Sequence, residues 1–328
     1  VQTIDSRRSD QRTGLSEIQD PTSLLAPVPF VRLMLCVLLM VLSLWPGVSG
    51  PVYPGGPSLQ PSCPPSFCYG MSEKRSMAEG RFGYFWGWHE IRLREGDNAL
   101  IPPSKKEVTL SSLIFSAQAE TFPMKDLAVR VQGWLNIPQT HRNEVWFDRR
   151  WAAWDTRSRY LGADLSAVYH FGMGGMPYTA GLVAGYRFYD FDYTSQAVSA
   201  PAGDFQDHLS AHIPYVGVYY AHSQFIGSVV RLDLLAAPIT LARYRSDRSV
   251  SNSMFHIDGH AVTGFWFESL FEWLLPLTDN ALAGVIAQYN YLELSGGATV
   301  EADGRSTRFS MDSRHNVIVL GLSATYTF

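Results

Sequence analysis

Residues 315–328 read HNVIVLGLSATYTF. Phe328, Tyr326, Ala324, Leu322, Leu320 and Ile318 fall on one parity, and Thr327, Thr325, Ser323, Gly321, Val319 and Val317 on the other. Successive side chains point to opposite faces of a strand. One face of this strand is therefore apolar and ends in aromatic rings. The other is small and mostly polar until it nears the strand's start. An oily outer face, a polar inner face and an aromatic girdle suit the wall of a transmembrane β-barrel. The alternative is the last strand of a soluble β-sandwich.

The bulk properties are compatible with either. The chain has 328 residues, a formal charge of −4 and 46% hydrophobic content. Half of each barrel strand is polar, so a barrel carries no unusual excess of apolar residues. Aromatic residues make up 13% of the chain, which supplies the rings that interfacial belts use. The slightly acidic balance gives no support for nucleic-acid binding.

The N-terminal part divides into three pieces. Residues 1–30 are polar and aperiodic, and read as an unstructured or over-extended start, the first Met being Met34. Residues 31–50 read as a signal peptide. Arg32 precedes the apolar run LMLCVLLMVLSLW at 33–45, which is the length of a signal h-region and too short to span a bilayer comfortably. Gly47, Ser49 and Gly50 then suit cleavage near Ser49. A retained signal anchor is the alternative, which Pro46 and the short run disfavour. Residues 51–78 are a Pro- and Gly-rich periplasmic lead-in. Cys36 lies in the leader, and Cys63 and Cys68 remain in the lead-in, within CPPSFC. In an exported chain that pair reads as a disulfide. A metal site is the weaker reading, because no His or further Cys stands nearby.

Residues 79–328 read as an all-β, antiparallel transmembrane barrel of about ten strands, at roughly 80–93, 106–122, 125–137, 158–171, 178–194, 209–221, 225–244, 257–275, 281–294 and 314–328. Leu127, Val129 and Val131 oppose Arg130 and Gln132. Leu161, Ala163, Leu165 and Ala167 oppose Asp164 and Ser166. Val230, Leu232 and Leu234 oppose Arg231 and Asp233. Phe265, Phe267, Phe271 and Trp273 oppose Glu268 and Glu272. Charges on one parity and oil on the other fit a narrow barrel whose lumen is filled by polar side chains. A pore is disfavoured for the same reason. The connections alternate as well. Those at 123–126, 172–177, 222–224 and 276–280 are tight, and those at 97–105, 136–157, 196–208, 245–256 and 295–313 are long. Short periplasmic turns and long extracellular loops are the outer-membrane pattern.

Two stretches carry candidate chemistry. In FHIDGH at 255–260, Asp258 and His260 are two apart and point the same way along an extended strand. Continued upward, the even parity of Glu268 and Glu272 would turn both into the barrel mouth. There a carboxylate beside an imidazole orients it and raises its basicity, making a general base for water. A loop Asp and His with no chemistry is the plainer reading, since so short a motif is common. In WFDRRWAAWD at 146–155, the inward parity of Arg130 and Gln132 would carry Asp148 and Arg150 inward too. The plainer reading there is a surface patch, with Trp146, Trp151 and Trp154 packed on one another or on lipid A.

With these motifs in place, the chain resembles the omptin family of outer-membrane endopeptidases over roughly residues 81–328. Asp258-Gly259-His260 is similar to that family's Asp-x-His. Asp148-Arg149-Arg150-Trp151 is similar to its Asp-x-Asp-Trp, except that Arg150 stands at the second Asp. Gly133-Trp134, Gly181-Leu182-Val183-Ala184-Gly185-Tyr186, Pro214-Tyr215-Val216-Gly217 and the closing Tyr326-Thr327-Phe328 add to the likeness. The Tyr326 and Phe328 ending also resembles the C-terminal signature of bacterial outer-membrane barrels.

The resemblance implies a ten-stranded barrel in the bacterial outer membrane and an aspartic-type endopeptidase acting on peptides or surface proteins. His260 would be the base, Asp258 its orienter and Asp148 the facing carboxylate, flanking the attacking water. Substrate contacts would fall to Glu90, Arg150, Asp155 and His256. Lipopolysaccharide is the implied lipid partner, met by rim cations such as Arg243, Arg245 and Arg248; ordinary loop charge is the alternative for those three. No cofactor is implied. Arg150 puts a positive charge where the family has a negative one, and would pair with Asp148. A non-catalytic omptin-fold barrel with a structural or surface-interaction role is therefore the second reading.

Overall fold

The structure is a computed structural model that describes residues 76–94, 104–147, 150–171, 178–198, 203–223, 228–250, 253–302 and 304–328. The expected leader, the lead-in up to residue 75 and the Cys63–Cys68 pair lie outside the described residues. The described residues form eleven strands: β1 (Met77–Arg94), β2 (Ser104–Met124), β3 (Leu127–Ile137), β4 (Thr140–Phe147), β5 (Arg150–Phe171), β6 (Tyr178–Ala197), β7 (Phe205–Ser223), β8 (Val229–Val250), β9 (Ser253–Thr278), β10 (Ala281–Ala302) and β11 (Arg305–Thr327). Each pairs antiparallel with its sequence neighbour, apart from β3 and β4. β1 pairs with β11 from Met77↔Thr327 to Arg94↔Ser310. β3 pairs with the lower part of β5, which closes the ring.

Ten strands make the ring, as expected. The eleventh, β4, is a continuation of β3 across Pro138, and hairpins onto the upper part of β5, from Thr140↔Arg157 to Phe147↔Arg150. Pro138 has no N–H for a ladder, which suits a break between two strands.

The 315–328 strand behaves as its alternation predicts. Thr327, Thr325, Ser323, Val319 and Val317 are buried, while Tyr326, Leu322 and Leu320 are exposed on the outer face. The outer face carries a continuous apolar band, including Phe82, Tyr84 and Trp86 on β1, Leu165 and Tyr169 on β5, Val216 and Val218 on β7, and Phe265, Trp273 and Leu275 on β9. Rings mark its two edges, with Trp86 and Phe265 at one and Trp273, Phe171 and Tyr326 at the other. This is the surface a bilayer covers. The edge with Tyr326 also holds the two-residue turns at Lys125–Asp126 and Asp279–Asn280, and there the Phe328 N–H donates to the Ser76 carbonyl at 3.0 Å.

Inside, charged side chains pair in layers. Arg231 contacts Glu79 at 2.9 Å and Glu272 at 3.0 Å, and Arg81 joins Glu79. Arg130 pairs with Glu120 and lies 3.4 Å from Asp233. In the middle, Arg187 donates to Asp164 at 2.9 Å and to Glu268 at 3.0 Å. Its guanidinium sits 5.0 Å from the Trp134 ring and 4.7 Å from the Trp266 ring. Trp134 reaches it across Gly162, where an added Cβ would meet the indole at 2.2 Å. A cavity of about 30 Å³ beside Arg187, lined in part by Gln132, Gln288 and Asn290, has room for a water or two. Above it the bore is filled by Phe85, Tyr160, Tyr189, Phe191, His89 and His315.

The long connections, expected on the extracellular side, need correction. Much of 196–208, 245–256 and 295–313 is strand, and so is most of 140–157. β8 and β9 run on until only residues 251–252 separate them, and β10 and β11 meet near Gly304, whose φ of 75° fits a tight turn. Beyond the apolar band the outer face also meets water, so alternation of oil and charge disappears although the ladder continues. Arg248 is a second correction. It is turned inward beside Ser246 and Tyr244, away from the rim, while Arg243 and Arg245 are exposed.

Candidate functional site at the outer mouth

β9 carries the Asp-x-His motif and changes parity just below it. Between Ser295 and Gly297, β10 advances two residues while β9 passes from Thr263 to His260. On the other side β8 advances from Ala242 to Tyr244 while β9 passes from Val262 to Gly259. One extra residue is thus inserted in β9 between Gly259 and Val262, a β-bulge. Below it Val262, Trp266, Glu268 and Glu272 are buried on the even parity. Above it Ile257 is buried and a Cβ on Gly259 would touch the Tyr244 and Met311 side chains, so the odd parity faces inward.

The expected inward projection of Asp258 is therefore corrected. Asp258 is half-buried on the outer face, opposite Arg245 of β8 and Thr299 of β10. His256 is exposed on that face and pairs with Asp247 across the β8–β9 ladder. Glu90 alternates with the buried His89 and Ile91, so it also faces outward, bonded to Arg92. Asp155 is exposed on β5, opposite Arg142 and Gln196. These four side chains lie on three strands and none points into the barrel. Backbone position alone places two others: His260 lies at the bulge and Arg150 opens β5 opposite Phe147. Asp148 lies outside the described residues.

Sequence reasoning missed the polar groups that do face the upper lumen. Lys106 of β2 pairs with Asp207 of β7, and the Tyr244 hydroxyl also donates to Asp207. The imidazoles of His89 and His315 approach to 3.3 Å between their Nδ1 atoms. The signal was present as parity: Lys106 is in phase with Val108 and Leu110, and Asp207 with Leu209 and Ala211, all four buried. It was obscured because both sit in stretches read as loop or strand edge. On the outer face Asp190, Asp192 and His208 bring three possible metal-ligand atoms within 4.8 Å of one another. Arg159 already supplies a cation there, pairing with Asp192 and lying 3.6 Å from Asp190.

No family model and no curated protein matches the chain. Among solved structures it is similar to the outer membrane protease OmpT from Escherichia coli, with 13% identity and a TM-score of 0.65, covering 78% of this chain and 97% of that one. It also matches the translocator domain of the autotransporter NalP from Neisseria meningitidis at 9% identity, covering 78% of this chain and 90% of that one, with a TM-score of 0.38. The first likeness establishes that the barrel has the omptin fold, an outer-membrane architecture.

Proposed function

We propose that this chain resides in the bacterial outer membrane as an omptin-fold barrel that does not hydrolyse peptides and serves a structural or surface-interaction role. The observation that carries this reading is the β9 bulge, which leaves Asp258 on the outer face opposite Arg245 instead of beside a lumenal water. A general base must lie within hydrogen-bond reach of the water it activates, at about 2.6–3.2 Å, and its orienter within the same reach of the imidazole, on the same face of the strand. Arg150 supports the same reading from the sequence, because it puts a positive charge where the second motif of the family has a carboxylate.

The second reading is an omptin-like endopeptidase acting on peptides or surface proteins, with Asp258 and His260 as the dyad, Asp148 facing them and lipopolysaccharide as lipid partner. It is favoured by the Asp258-Gly259-His260 motif near the start of β9. One experiment separates the two. The purified barrel, loaded with lipopolysaccharide, is incubated with a dibasic peptide library, alongside Arg150→Asp and His260→Ala. We expect no cleavage by the wild type. Cleavage that rises in Arg150→Asp and disappears in His260→Ala establishes the peptidase. Cleavage that survives His260→Ala removes the dyad assignment.

A further inference from the structure

Asp190, Asp192, His208 and Arg159 form a polar shelf on the outer wall that neither functional reading uses. Asp190 and Asp192 follow the exposed Leu182 and Tyr186 on the outward parity of β6, and His208 lies on the outward parity of β7 above Val218 and Val216. The shelf therefore stands just beyond the apolar band, on the side away from Tyr326. Asp192 and His208 are register partners, and β5 places Arg159 opposite Asp192 from the other side. Side chains two apart on a strand point the same way, so Asp190 joins them. Three strands of a continuous ladder hold the set, and strands position ligand atoms more tightly than loops do.

The imidazole is the informative group. Its Nδ1 bonds Asp192, and a carboxylate only accepts, so Nδ1 carries a proton. In the neutral ring Nε2 then keeps its lone pair, and it stands 3.7 Å from Asp190 Oδ2. Two acceptors opposed across that gap call for a positive charge between them. Arg159 does not fill the gap, because it pairs with Asp192 and stays 3.6 Å from the other Asp190 oxygen. Burial, the largest influence, raises the Asp190 carboxyl above its ordinary range although His208 and Arg159 oppose it. The carboxylate is thus short of positive charge.

We propose that Asp190 and His208 bind a divalent first-row transition ion of the Zn²⁺ class, with Asp192 orienting the imidazole. Bonds of about 2.0–2.2 Å put two ligand atoms of a tetrahedral zinc about 3.3–3.6 Å apart. The gap of 3.7 Å between Nε2 and Oδ2 is close to that span. A histidine that ligates through one nitrogen and donates its other N–H to a carboxylate is the common arrangement around such ions. An imidazole ligand selects Zn²⁺, Cu²⁺ or Ni²⁺ over Mg²⁺ and Ca²⁺. One ligand atom from each of Asp190, Asp192 and His208 lies within 4.8 Å of the others. Arg159, 58% exposed at its side chain, is free to swing into water and release an Asp192 oxygen as a third ligand. The inference is independent of both functional readings.

The test is calorimetric titration with Zn²⁺ of the detergent-solubilised full chain, its three cysteines replaced by serine so that no thiolate competes. One zinc equivalent is expected in this chain and is expected to vanish in His208→Ala. Asp192→Asn is expected to weaken it by about 10–100-fold, the usual cost of losing an orienting carboxylate, and Asp190→Asn by at least as much. Arg159→Gln removes the competing cation and is expected to tighten binding. Ca²⁺ is expected not to displace the zinc. Anomalous scattering from crystals soaked in Zn²⁺ is expected to place the ion between Asp190 and His208. No zinc equivalent, equal binding by His208→Ala, or an anomalous peak only elsewhere overturns the proposal, and a proton on Nε2 then fills the gap. If His208→Ala does not fold, judged by heat-modifiable gel mobility, the anomalous peak decides alone.

Discussion

Glu268 shows what one lumenal side chain contributes. It accepts hydrogen bonds from Arg187, and from Gln288 and Asn290 at 2.8 Å each. Truncating one partner of a buried ion pair costs about 3–5 kcal/mol, because the other charge stays buried without compensation. Arg187 keeps Asp164 at 2.9 Å, so Glu268→Ala is expected to lower stability by the low end of that range, about 3 kcal/mol, in urea unfolding of the detergent-solubilised barrel, and Glu268→Gln, which keeps an acceptor oxygen, by less. A loss below about 1 kcal/mol, the scale of exposed pairs, would contradict the buried network. The inward direction of Glu268 was legible in the sequence, because Phe265, Phe267, Phe271 and Trp273 oppose it. The outward direction of Asp258 was not. Parity arguments assume an unbroken ladder, and the one local sign of an inserted residue is Gly259, a weak signal in a chain with many strand glycines.

At the scale of the strand, alternation gave the parts of the barrel that face lipid and lost the parts above it. Ten strands followed from oil on one parity and charge on the other. The upper ends of β5, β8, β9, β10 and β11 did not, since their outer face is polar or mixed there, although Tyr244, Ile257, Val300, Phe309 and Met311 still pack on the inner face. β4 was missed for the same reason. The extended hairpins place Asp155 and Asp247 far from the turn at Asp126 and the turn at Asp279, on opposite sides of the apolar band. Single cysteines at these four positions, in a chain whose Cys63 and Cys68 are serine, give the prediction. A membrane-impermeant maleimide on intact cells is expected to label the Asp155 and Asp247 positions and to spare the other two. Labelling at Asp126 and Asp279 alone would invert the barrel.

For the whole molecule, the layered interior decides what the barrel can pass. Ten strands enclose a narrow bore, and long side chains from opposite walls meet across it. Arg187 of β6 reaches Glu268 of β9, Arg130 of β3 approaches Asp233 of β8, and Arg231 of β8 reaches Glu79 of β1. An ion moving through would have to part these pairs and then pass the packed rings of Phe85, Tyr160, Tyr189 and Phe191. Breaking even one buried pair costs several kcal/mol, so no continuous water path forms at equilibrium. The purified barrel reconstituted in a planar bilayer is expected to hold conductance at the baseline of the lipid alone. Arg187→Ala leaves the layers above and below intact, and is expected to stay closed as well. Regular channel steps in the wild type would mean that the lumenal layers part far more easily than their pairing implies.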